Sequence, residues 1–404
     1  MKNILLVAFD CNPDSGSEAK SAYSWWKILQ KYYNVFVITD IKHKKCIERR
    51  GNSSNFTYCS YVSDKTRALL LNIRAYNVLY GLFVRKVNKI LRDKGIENID
   101  LIHCLTPAGI FAYNNLYKFG KPIILGPVGG GLRIPENFEQ YETTRYRLRQ
   151  IYYKILKKNP KWINYYKNSS KILIGTRNVL SNLPECTHIK TIELFDTVVD
   201  TNKFKPTTKI KDSECINIIY SGLMDATKGC LLLVEAFNML IKDGYSNIQL
   251  NMLGDGDELN NIKKIIKNEK LEEHIHLLGN VTSHEVSRHL KNADIFCLPA
   301  IKENGGTAIL EAMACALPIV TSDYGGPAVS VTNECGIKIK PSDYNSYISD
   351  LKDALAYLID NKDIRIRMGI NARKRAVSEY SFESLESRII ELYESFFVED
   401  KVLA

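Results

Sequence analysis

Short apolar runs along the chain alternate with longer stretches in which apolar residues recur at helical spacing. The runs at 4–9 and 35–39 predict buried β-strands, because each is short and almost wholly apolar. Between them, residues 19–32 predict a helix with Trp25 and Trp26 on its inward face. The chain therefore opens with a βαβ unit, which is typical of a parallel sheet.

The same alternation continues through the first half of the chain. Strands are predicted at 101–104, 123–125 and 172–174, and residues 65–94 have helical spacing. A loop rich in turn-forming residues follows the first strand at 10–18, and a glycine-rich loop follows the strand at 123–125. Ligands bind at such strand ends in open parallel sheets. Neither loop has a G-x-G-x-x-G or P-loop motif, which argues against a standard dinucleotide site and against an ATPase.

A polar connection at 196–206 separates this half from a second run of the same alternation. The second run predicts strands at 216–220, 248–253, 276–279, 295–298 and 318–321. It predicts helices at 231–241, 258–268, 283–291, 346–359, 364–380 and 382–397. Two such runs predict an α/β protein with two doubly wound parallel sheets facing each other. We therefore expect domains at 1–200 and 201–380, and a helix at 381–404 that packs back towards the N-terminal domain.

The stretch at 301–326 contains two glutamates, Glu303 and Glu311, with seven residues between them. The turn after the first glutamate consists of Asn304, Gly305, Gly306 and Thr307. A turn between a strand and a helix leaves backbone N–H groups for a phosphate. Carboxylates suit neutral hydroxyls instead, such as those of a ribose or a hexose. The pattern predicts a nucleotide-sugar site, and its alternative is a solvated Glu303 with a capping Glu311.

Composition narrows the class of protein. A chain of 404 residues favours two domains, and 45% hydrophobic with 25% charged residues is typical of a soluble globular protein. The ten cysteines are scattered without a C-x-x-C pair, which predicts buried thiols rather than zinc ligands or disulfides. No apolar run has the length of a membrane span, and the N-terminus enters a strand directly. We therefore expect a cytoplasmic protein without a secretory signal.

The formal net charge of +10 is compatible with nucleic acid, an anionic membrane or a phosphorylated substrate as partner. Basic and aromatic residues are concentrated at 145–171. This stretch is compatible with a helix that has a solvated basic face, with contact to anionic lipid headgroups, or with RNA binding. No RNA-recognition signature accompanies it, so we expect no nucleic-acid partner. Peripheral contact with the inner face of the plasma membrane is the functional hypothesis for this stretch.

Several motifs follow one another in a specific order. They are NPDSGSEAKSAYSWW, ILGPVGGG, SGLMDATKGCLLLVEAF, NMLGDGDEL, IHLLGNVTSHEV and NADIFCLPAIKENGGTAILEAMACALPIVTSDYGG. In this order and with these gaps, nearly the whole chain resembles the retaining glycosyltransferase family 4. The resemblance implies the GT-B fold, in which two Rossmann-like domains face a central cleft. The N-terminal domain of such a protein binds the acceptor, and the C-terminal domain binds the nucleotide-sugar donor.

The resemblance also implies roles for residues of the second half. Glu311 would accept hydrogen bonds from the donor ribose, and Glu303 would hold a hexose hydroxyl near the reacting centre. Lys228, after the loop at Gly222, would neutralise the diphosphate that leaves as the glycosidic bond breaks. The turn beginning at Asn304 would line the sugar and the diphosphate through the backbone amides of three residues. Those residues are Gly305, Gly306 and Thr307.

Further positions are implied around the donor base and the acceptor. Asn280 and Val281 fall where the family holds the base, largely through backbone atoms. Gly16 would let the first-domain loop approach the phosphates and the acceptor, because glycine has no side chain to collide with them. The expected acceptor-side residues are Ser15, His103, Gly129 and Gly130.

Two departures from the family pattern concern charge and acid–base chemistry. Leu223 stands where members carry an arginine beside the diphosphate lysine, so one cation is missing. The loop at 126–131 lacks the histidine that many members have near the sugar. Asp255-Gly256-Asp257 matches a metal motif of another glycosyltransferase fold, but at a βα position we interpret it as a turn. We expect no metal and no cofactor, because Lys228 and helix N-termini supply the positive charge.

The function implied is retaining transfer of a hexose from a UDP- or GDP-sugar to a glycan or lipid-linked acceptor, in bacterial surface polysaccharide synthesis. One alternative is a nucleotide-sugar 2-epimerase of the same fold, which would need no second substrate. The other is a non-catalytic partner subunit that binds a nucleotide-sugar, and the leucine at position 223 favours it.

Overall fold

The architecture was obtained as a computed structural model of the chain. The structure describes all residues except 15, 52–53, 74, 208–214 and 404, and it leaves the side chains of 145 and 399–403 undescribed. The chain divides into two compact units. Unit 1 comprises Met1–Gly131, Thr144–Asp196 and Glu386–Ala404, and unit 2 comprises Leu132–Thr143 and Thr197–Leu385.

Unit 1 is built on a parallel sheet of seven strands within the described residues. Its strands are β1 Asn3–Ala8, β2 Asn34–Asp40, β3 Phe56–Cys59, β4 Leu101–Thr106, β5 Ile123–Val128, β6 Lys171–Ile174 and β7 Thr191–Glu193. The order across the sheet is β3-β2-β1-β4-β5-β6-β7. In this register Leu6 lies opposite Val37 of β2 and His103 of β4. All six residues of β4 and of β5 are buried, as expected for a parallel sheet covered on both faces.

Helices cover the two faces of this sheet. They are α1 Ser17–Leu29, α2 Lys44–Glu48, α3 Asp64–Asn72, α4 Tyr76–Lys94, α5 Thr144–Leu156 and α6 Pro160–Lys167. The predicted single helix at 65–94 is therefore two helices, α3 and α4. The basic stretch at 145–171 also divides, because Pro160 lacks an N–H and starts α6, whose first turn is capped by Asn159 through Lys161 N–H.

Unit 2 is built on a second parallel sheet, with six strands among the described residues. These are β8 Ile216–Ser221, β9 Ile248–Leu253, β10 Ile275–Gly279, β11 Ile295–Leu298, β12 Ile319–Ser322 and β13 Gly336–Ile339. Their order is β10-β9-β8-β11-β12-β13. The loops that follow β8, β9, β10 and β11 leave the same edge of the sheet, because the strands are parallel.

The helices of the second half follow the alternation expected from the sequence. They are α7 Cys230–Lys242, α8 Leu259–Asn268, α9 Ser283–Asn292, α10 Thr307–Ala314, α11 Gly325–Ser330, α12 Tyr344–Asp360, α13 Lys362–Tyr380 and α14 Phe382–Leu403. The residues of α14 from Glu386 onward belong to unit 1. Among the described residues, no helix combines the length and apolarity needed to cross a bilayer.

The segment Leu132–Thr143 belongs to unit 2, although the sequence-based division placed it in the first domain. Phe138 of this segment is fully buried and packs edge-to-face on Tyr347 of α12, with ring centroids 5.7 Å apart. Tyr324 donates a hydrogen bond of 3.0 Å to the Arg133 carbonyl. Both contacts join residues far apart in sequence, so local patterning did not indicate them.

Candidate functional site

The candidate site of unit 2 is formed around an ion pair between Lys228 and Glu303. The Lys228 ammonium lies 2.5 Å from Glu303 Oε2, and both side chains are mostly buried, with 22% and 18% of their surface exposed. The second oxygen, Glu303 Oε1, accepts hydrogen bonds of 3.0 Å from the amides of Gly305 and Gly306. One carboxylate therefore organises both the cation and the turn that follows it.

Local structure fixes the backbone at Lys228. The short 3₁₀ turn Ala226–Lys228 is capped by Asp225, whose Oδ1 accepts N–H bonds from Thr227 and Lys228. Gly229 follows with a φ of 72° and is the N-cap residue of α7. A side chain at this position would place its Cβ 2.2 Å from the Pro299 carbonyl oxygen. The close approach of the loop after β11 therefore requires glycine at 229.

A second close approach holds the backbone at Glu303. The amide of Gly326 donates a 2.8 Å hydrogen bond to the Glu303 carbonyl. Gly325 has a φ of 66°, and a Cβ there would lie 2.3 Å from that same carbonyl oxygen. Gly325 and Gly326 are the first residues of α11, which packs on the backbone of the site.

Charge and burial act in opposite directions on the Glu303 carboxyl. Burial favours the neutral acid and would raise its pKa, but the Lys228 ammonium and the Gly305 and Gly306 amides outweigh it and lower the pKa below its ordinary value. Glu303 is therefore an anchored carboxylate at neutral pH. The sequence-based prediction gave the amides of Gly305 and Gly306 to the donor. In this structure both amides donate to Glu303. Of the three amides expected to bind the donor, the one that does not bond to Glu303 is that of Thr307, at the start of α10.

Glu311 is a different kind of carboxyl group. It lies on α10 and is partly buried, and within the described residues its carboxylate accepts no hydrogen bond. Burial raises its pKa to about 7, and the positive charge of Lys203 opposes this only in part. The alternative role, a cap of the helix N-terminus, is wrong, because Glu311 lies inside α10 and Gly306 is the N-cap residue.

The loop after β8 contains Gly222 and Leu223. The amide of Gly222 donates to the Leu253 carbonyl at 3.0 Å, and Tyr220 donates from its hydroxyl to the Leu223 carbonyl at 2.8 Å. The Leu223 side chain is 57% exposed. A well-anchored backbone thus presents an apolar side chain where the family pattern has an arginine.

The Asp255-Gly256-Asp257 sequence lies between β9 and α8 and is joined to the same loop. The Met224 amide donates to the Asp255 carbonyl, and the Glu258 amide donates to the Met224 carbonyl, each at 2.9 Å. Gly256 has no room for a side chain, since a Cβ there would lie 2.4 Å from the Met224 carbonyl oxygen. Over the described residues, no group of three or more His, Cys, Asp or Glu side chains is placed to hold a metal ion.

The remaining residues that we expected on the donor side lie at the same sheet edge. Asn280 follows Gly279, the last residue of β10, and its side chain is exposed, whereas Val281 is half-buried. The Gly279 carbonyl accepts a 2.9 Å bond from the amide of Gly254, which follows β9. The structure thus gathers Gly222, Asn280 and Glu303 on loops of one sheet edge in unit 2.

The acceptor-side predictions fall in unit 1. Gly16 has a φ of 56° and precedes α1, with open space around the position of an added Cβ. Gly129 donates a 2.7 Å bond to the Ala108 carbonyl just after β5, and Gly130 has a φ of 87°. Ser15 lies outside the described residues.

His103 is a core histidine, which corrects its assignment to the acceptor side. It is fully buried within β4, where its Nε2 lies 2.6 Å from the Gly126 carbonyl and its Nδ1 lies 2.5 Å from the Tyr393 hydroxyl. A carbonyl only accepts, so Nε2 carries the proton and Nδ1 accepts from Tyr393. Burial lowers the pKa of His103 to about 4, and no surface of its ring is left for an acceptor.

Unit 1 also contains a polar network that the sequence did not indicate. Asp10, at the carboxyl end of β1, pairs with Lys42 at 2.5 Å and with His43 at 3.1 Å, and it accepts a hydrogen bond from Tyr76. Burial would raise the Asp10 pKa, but these partners together lower it well below its ordinary value. The only sequence signal was an aspartate directly after a strand. The network fixes the start of the loop that leads to Gly16.

Comparisons with known proteins agree with this architecture. Residues 201–375 match the family model described as Glycosyl transferases group 1. An uncharacterized glycosyltransferase of Methanocaldococcus jannaschii is 25% identical over 357 residues, covering 84% of this chain and 88% of that protein. The D-inositol 3-phosphate glycosyltransferase of Pseudarthrobacter chlorophenolicus is 26% identical over 195 residues. That match spans about half of each protein, 46% in both cases.

The solved structure of Anabaena HepE in complex with UDP has a TM-score of 0.65 to this chain and 15% sequence identity. It covers 98% of this chain and 100% of its own. Two units, each with a parallel sheet and flanking helices, define the fold as that of the GT-B glycosyltransferases. The match to the group 1 glycosyl transferase family lies in the second unit, from residue 201 to 375.

Proposed function

We propose that this chain is a retaining hexosyltransferase that uses a UDP- or GDP-sugar as donor. The observation that carries the proposal is the arrangement around α10. An anchored carboxylate, Glu303, holds Lys228 at 2.5 Å at one end of the glycine turn, and the unbonded carboxyl of Glu311 lies beyond the other end. The two carboxylates can accept hydrogen bonds from hydroxyl groups, one from a sugar and the other from a ribose. The ammonium and the helix N-terminus between them suit a diphosphate.

Lys228 is the group that we assign to the diphosphate. An ammonium has three N–H donors, and Glu303 accepts one of them. The remaining donors are suited to the phosphate oxygens, which gain negative charge as the bond to the sugar breaks. The Thr307 amide at the N-terminus of α10 adds a second, weaker source of positive potential. With these groups we propose that no metal ion and no cofactor are needed.

Glu303 is the group that we assign to the transferred sugar. An ionised carboxylate offers about four lone-pair sites, and two amides and one ammonium occupy three of them here. One site remains for a hexose hydroxyl. In a retaining front-face reaction, the departing phosphate oxygen takes the proton of the acceptor hydroxyl, so no protein base is required.

Glu311 is assigned to the ribose. Its carboxyl is the one group of this turn and helix that is partly buried and accepts no hydrogen bond from the described residues. Two ribose hydroxyls would satisfy it and favour its ionised form. Anabaena HepE was solved in complex with UDP, which supports a uridine nucleotide without excluding GDP. We further propose that the acceptor is a glycan or lipid-linked sugar in bacterial surface polysaccharide synthesis.

One observation favours a second candidate, a non-catalytic subunit that binds a nucleotide-sugar. Leu223 is exposed by 57% and uncharged, so the leaving diphosphate has one cation fewer than the family pattern provides. An epimerase of the same fold remains distinguishable by its substrates, because it converts the donor without any acceptor.

The experiment is donor turnover by the full chain with UDP- and GDP-hexoses, with and without a lipid-linked glycan extract. Acceptor-dependent release of UDP or GDP by the wild type, reduced at least about a hundredfold in Glu303→Gln, supports the transferase. Glu272→Gln, an exposed glutamate of unit 2, is the control and should keep wild-type turnover. Formation of epimerised sugar in the absence of acceptor would overturn the transferase proposal. Nucleotide binding with the same background turnover in the wild type and in Glu303→Gln would also overturn it.

A further inference from the structure

The outward face of α5 in unit 1 is apolar. Leu148, Ile151, Tyr152 and Ile155 are exposed by 62%, 55%, 39% and 63%. They follow the i, i+3, i+4, i+7 spacing of a single helix face. An exposed stripe of this kind marks an interaction surface rather than scattered surface apolar residues.

The opposite face of the same helix is packed into unit 1. Tyr146, Tyr153 and Leu156 are buried, and Tyr153 stacks on Phe111 with ring centroids 4.1 Å apart. Because α5 already packs into the core through this opposite face, its exposed apolar face is a second, separate surface. The helix presents its outer stripe on a firmly packed base, so binding requires no folding step.

Positive charge borders the apolar stripe. Lys154 and Arg149 of α5 are exposed, as is Lys158 two residues beyond its end, and the Arg149 guanidinium lies 5.9 Å from the Phe111 ring centroid. From residue 144 to 167 the chain has no aspartate or glutamate. Over the same range it has eight basic residues, Arg145, Arg147, Arg149, Lys154, Lys157, Lys158, Lys161 and Lys167. An apolar strip on a helix with exposed basic residues and no acidic ones is complementary to an anionic lipid surface, which offers acyl chains and headgroup phosphates.

We propose that α5 is a membrane-docking helix. It lies in the plane of an anionic leaflet, with Leu148, Ile151 and Ile155 roughly 5–10 Å into the headgroup boundary. Tyr152 is positioned with them, where its hydroxyl reaches the polar layer. Lys154 and Lys158 contact the lipid phosphates. This inference goes beyond the transferase proposal and does not depend on it, since lipid binding is measured without a sugar donor.

The test is co-sedimentation of the full chain with two kinds of vesicle, phosphatidylglycerol mixed equally with phosphatidylcholine, and phosphatidylcholine alone. We expect binding to the anionic vesicles only, and a loss of at least about tenfold on raising the salt from about 0.05 to about 0.5 M. Hydrogen exchange of α5 should slow with anionic vesicles, whereas exchange of α13 should not. Equal binding to both vesicles, or no binding to either, would overturn the proposal.

Two variants separate the apolar from the electrostatic contribution. Leu148→Ser/Ile151→Ser/Ile155→Ser leaves the charge unchanged and should weaken binding at least about tenfold. Lys154→Gln/Lys158→Gln should weaken it several-fold and flatten the salt dependence. Ile366→Ser/Ile370→Ser is the matched control, because both isoleucines are about half exposed on α13 of unit 2, by 50% and 49%. It should bind as the wild type does.

A further measurement distinguishes lipid from a protein partner. Sedimentation velocity of the wild type and of the triple serine variant should give the same mass without vesicles. If the wild type is an oligomer and the variant a monomer, the stripe is a self-association surface and the lipid proposal fails. Unchanged thermal unfolding of the variant shows that any loss of vesicle binding does not come from misfolding.

Discussion

Lys228 and Glu303 form an ion pair of 2.5 Å, and the glutamate also accepts hydrogen bonds from the amides of Gly305 and Gly306. The two residues are 75 positions apart in the chain, yet each lies in a loop at the carboxyl edge of the second sheet. The carboxylate is held from both sides before any ligand is present. The position of the lysine therefore depends on Glu303, and the two residues should be energetically coupled.

A double-mutant cycle of Lys228→Met and Glu303→Gln should give a coupling free energy of about 1–3 kcal/mol at pH 7, measured by denaturant unfolding. The Glu303 pKa is lower in the folded state than its ordinary value of 4.5, so its stabilisation is present above pH 4.5. It is lost as the pH falls through the folded-state pKa. The coupling should therefore decline below pH 4.5.

Lys242 and Glu269 provide the control for this cycle. They form a pair of 2.7 Å whose side chains are 62% and 37% exposed, so solvent screening should leave a much smaller coupling. A coupling at Lys228–Glu303 no larger than that of the control would show that the buried pair does not organise the site.

Glu311→Gln should stabilise the protein at pH 8 and change it little at pH 4.5. The folded-state pKa of Glu311 is about 7 against an ordinary 4.5, so ionising it costs stability as the pH rises through this window. The difference of about 2.5 pKa units corresponds to at most about 3 kcal/mol, and we expect about 1–3. Thermal unfolding of the variant should occur several degrees higher at pH 8.

The same substitution should weaken nucleotide-sugar binding at least about tenfold, because a ribose hydroxyl bonds more strongly to a carboxylate than to an amide. Glu272→Gln, at an exposed site, serves as control and should change neither property. A Glu311→Gln variant with unchanged stability at pH 8 would show that the carboxyl is not held in an unfavourable environment.

Leu223→Arg should improve use of the donor. The leucine side chain is 57% exposed, so an arginine fits without disturbing the core, and its guanidinium would add a cation beside Lys228. We expect the KM for the donor to fall about 3–10-fold, with a smaller gain at high salt. Leu223→Gln introduces a polar side chain without the charge and should leave the KM near that of the wild type. An unchanged KM in the arginine variant would place residue 223 away from the diphosphate.

Gly229→Ala should destabilise the protein by about 3 kcal/mol or more, because the new Cβ would lie 2.2 Å from the Pro299 carbonyl at a φ of 72°. Gly244, just beyond the other end of α7, has a φ of 95° in open space. Gly244→Ala should cost about 1 kcal/mol from backbone strain alone. If chemical denaturation showed the same loss of stability for both alanine variants, contact with the loop after β11 would be unimportant.

Periodicity in the sequence predicted the second sheet well. The strands at 248–253 and 295–298 coincide with β9 and β11, since buried parallel strands are short continuous apolar runs. The four-residue strands β3 and β13 were not predicted, because their sequences FTYC and GIKI have too little pattern. The short helix α11 was missed because its glycines and proline are typical of a turn.

The site could be located from the sequence, but its internal bonding could not. The two glutamates and the glycine turn indicated where a ligand would bind. Glu303 accepts hydrogen bonds from the amides of both turn glycines. This bonding depends on the backbone conformation of Gly306, whose φ is 64°. Likewise, the ring of His103 is buried in β4 and bonded to Tyr393, which is 290 positions away in the chain. Contacts at such separation leave no trace in a local pattern.

Equilibrium titration with a nucleotide-sugar tests the central claim, that Lys228, Glu303 and Glu311 form a donor site. The wild type and the Glu272→Gln control should bind UDP-glucose or a GDP-hexose with the same Kd. Lys228→Met and Glu311→Gln should each weaken binding at least about tenfold, and Lys228→Met should weaken it less for the free nucleoside, which has no phosphate. Binding at wild-type affinity in both variants, or no binding of either nucleotide-sugar to the wild type, would contradict the account.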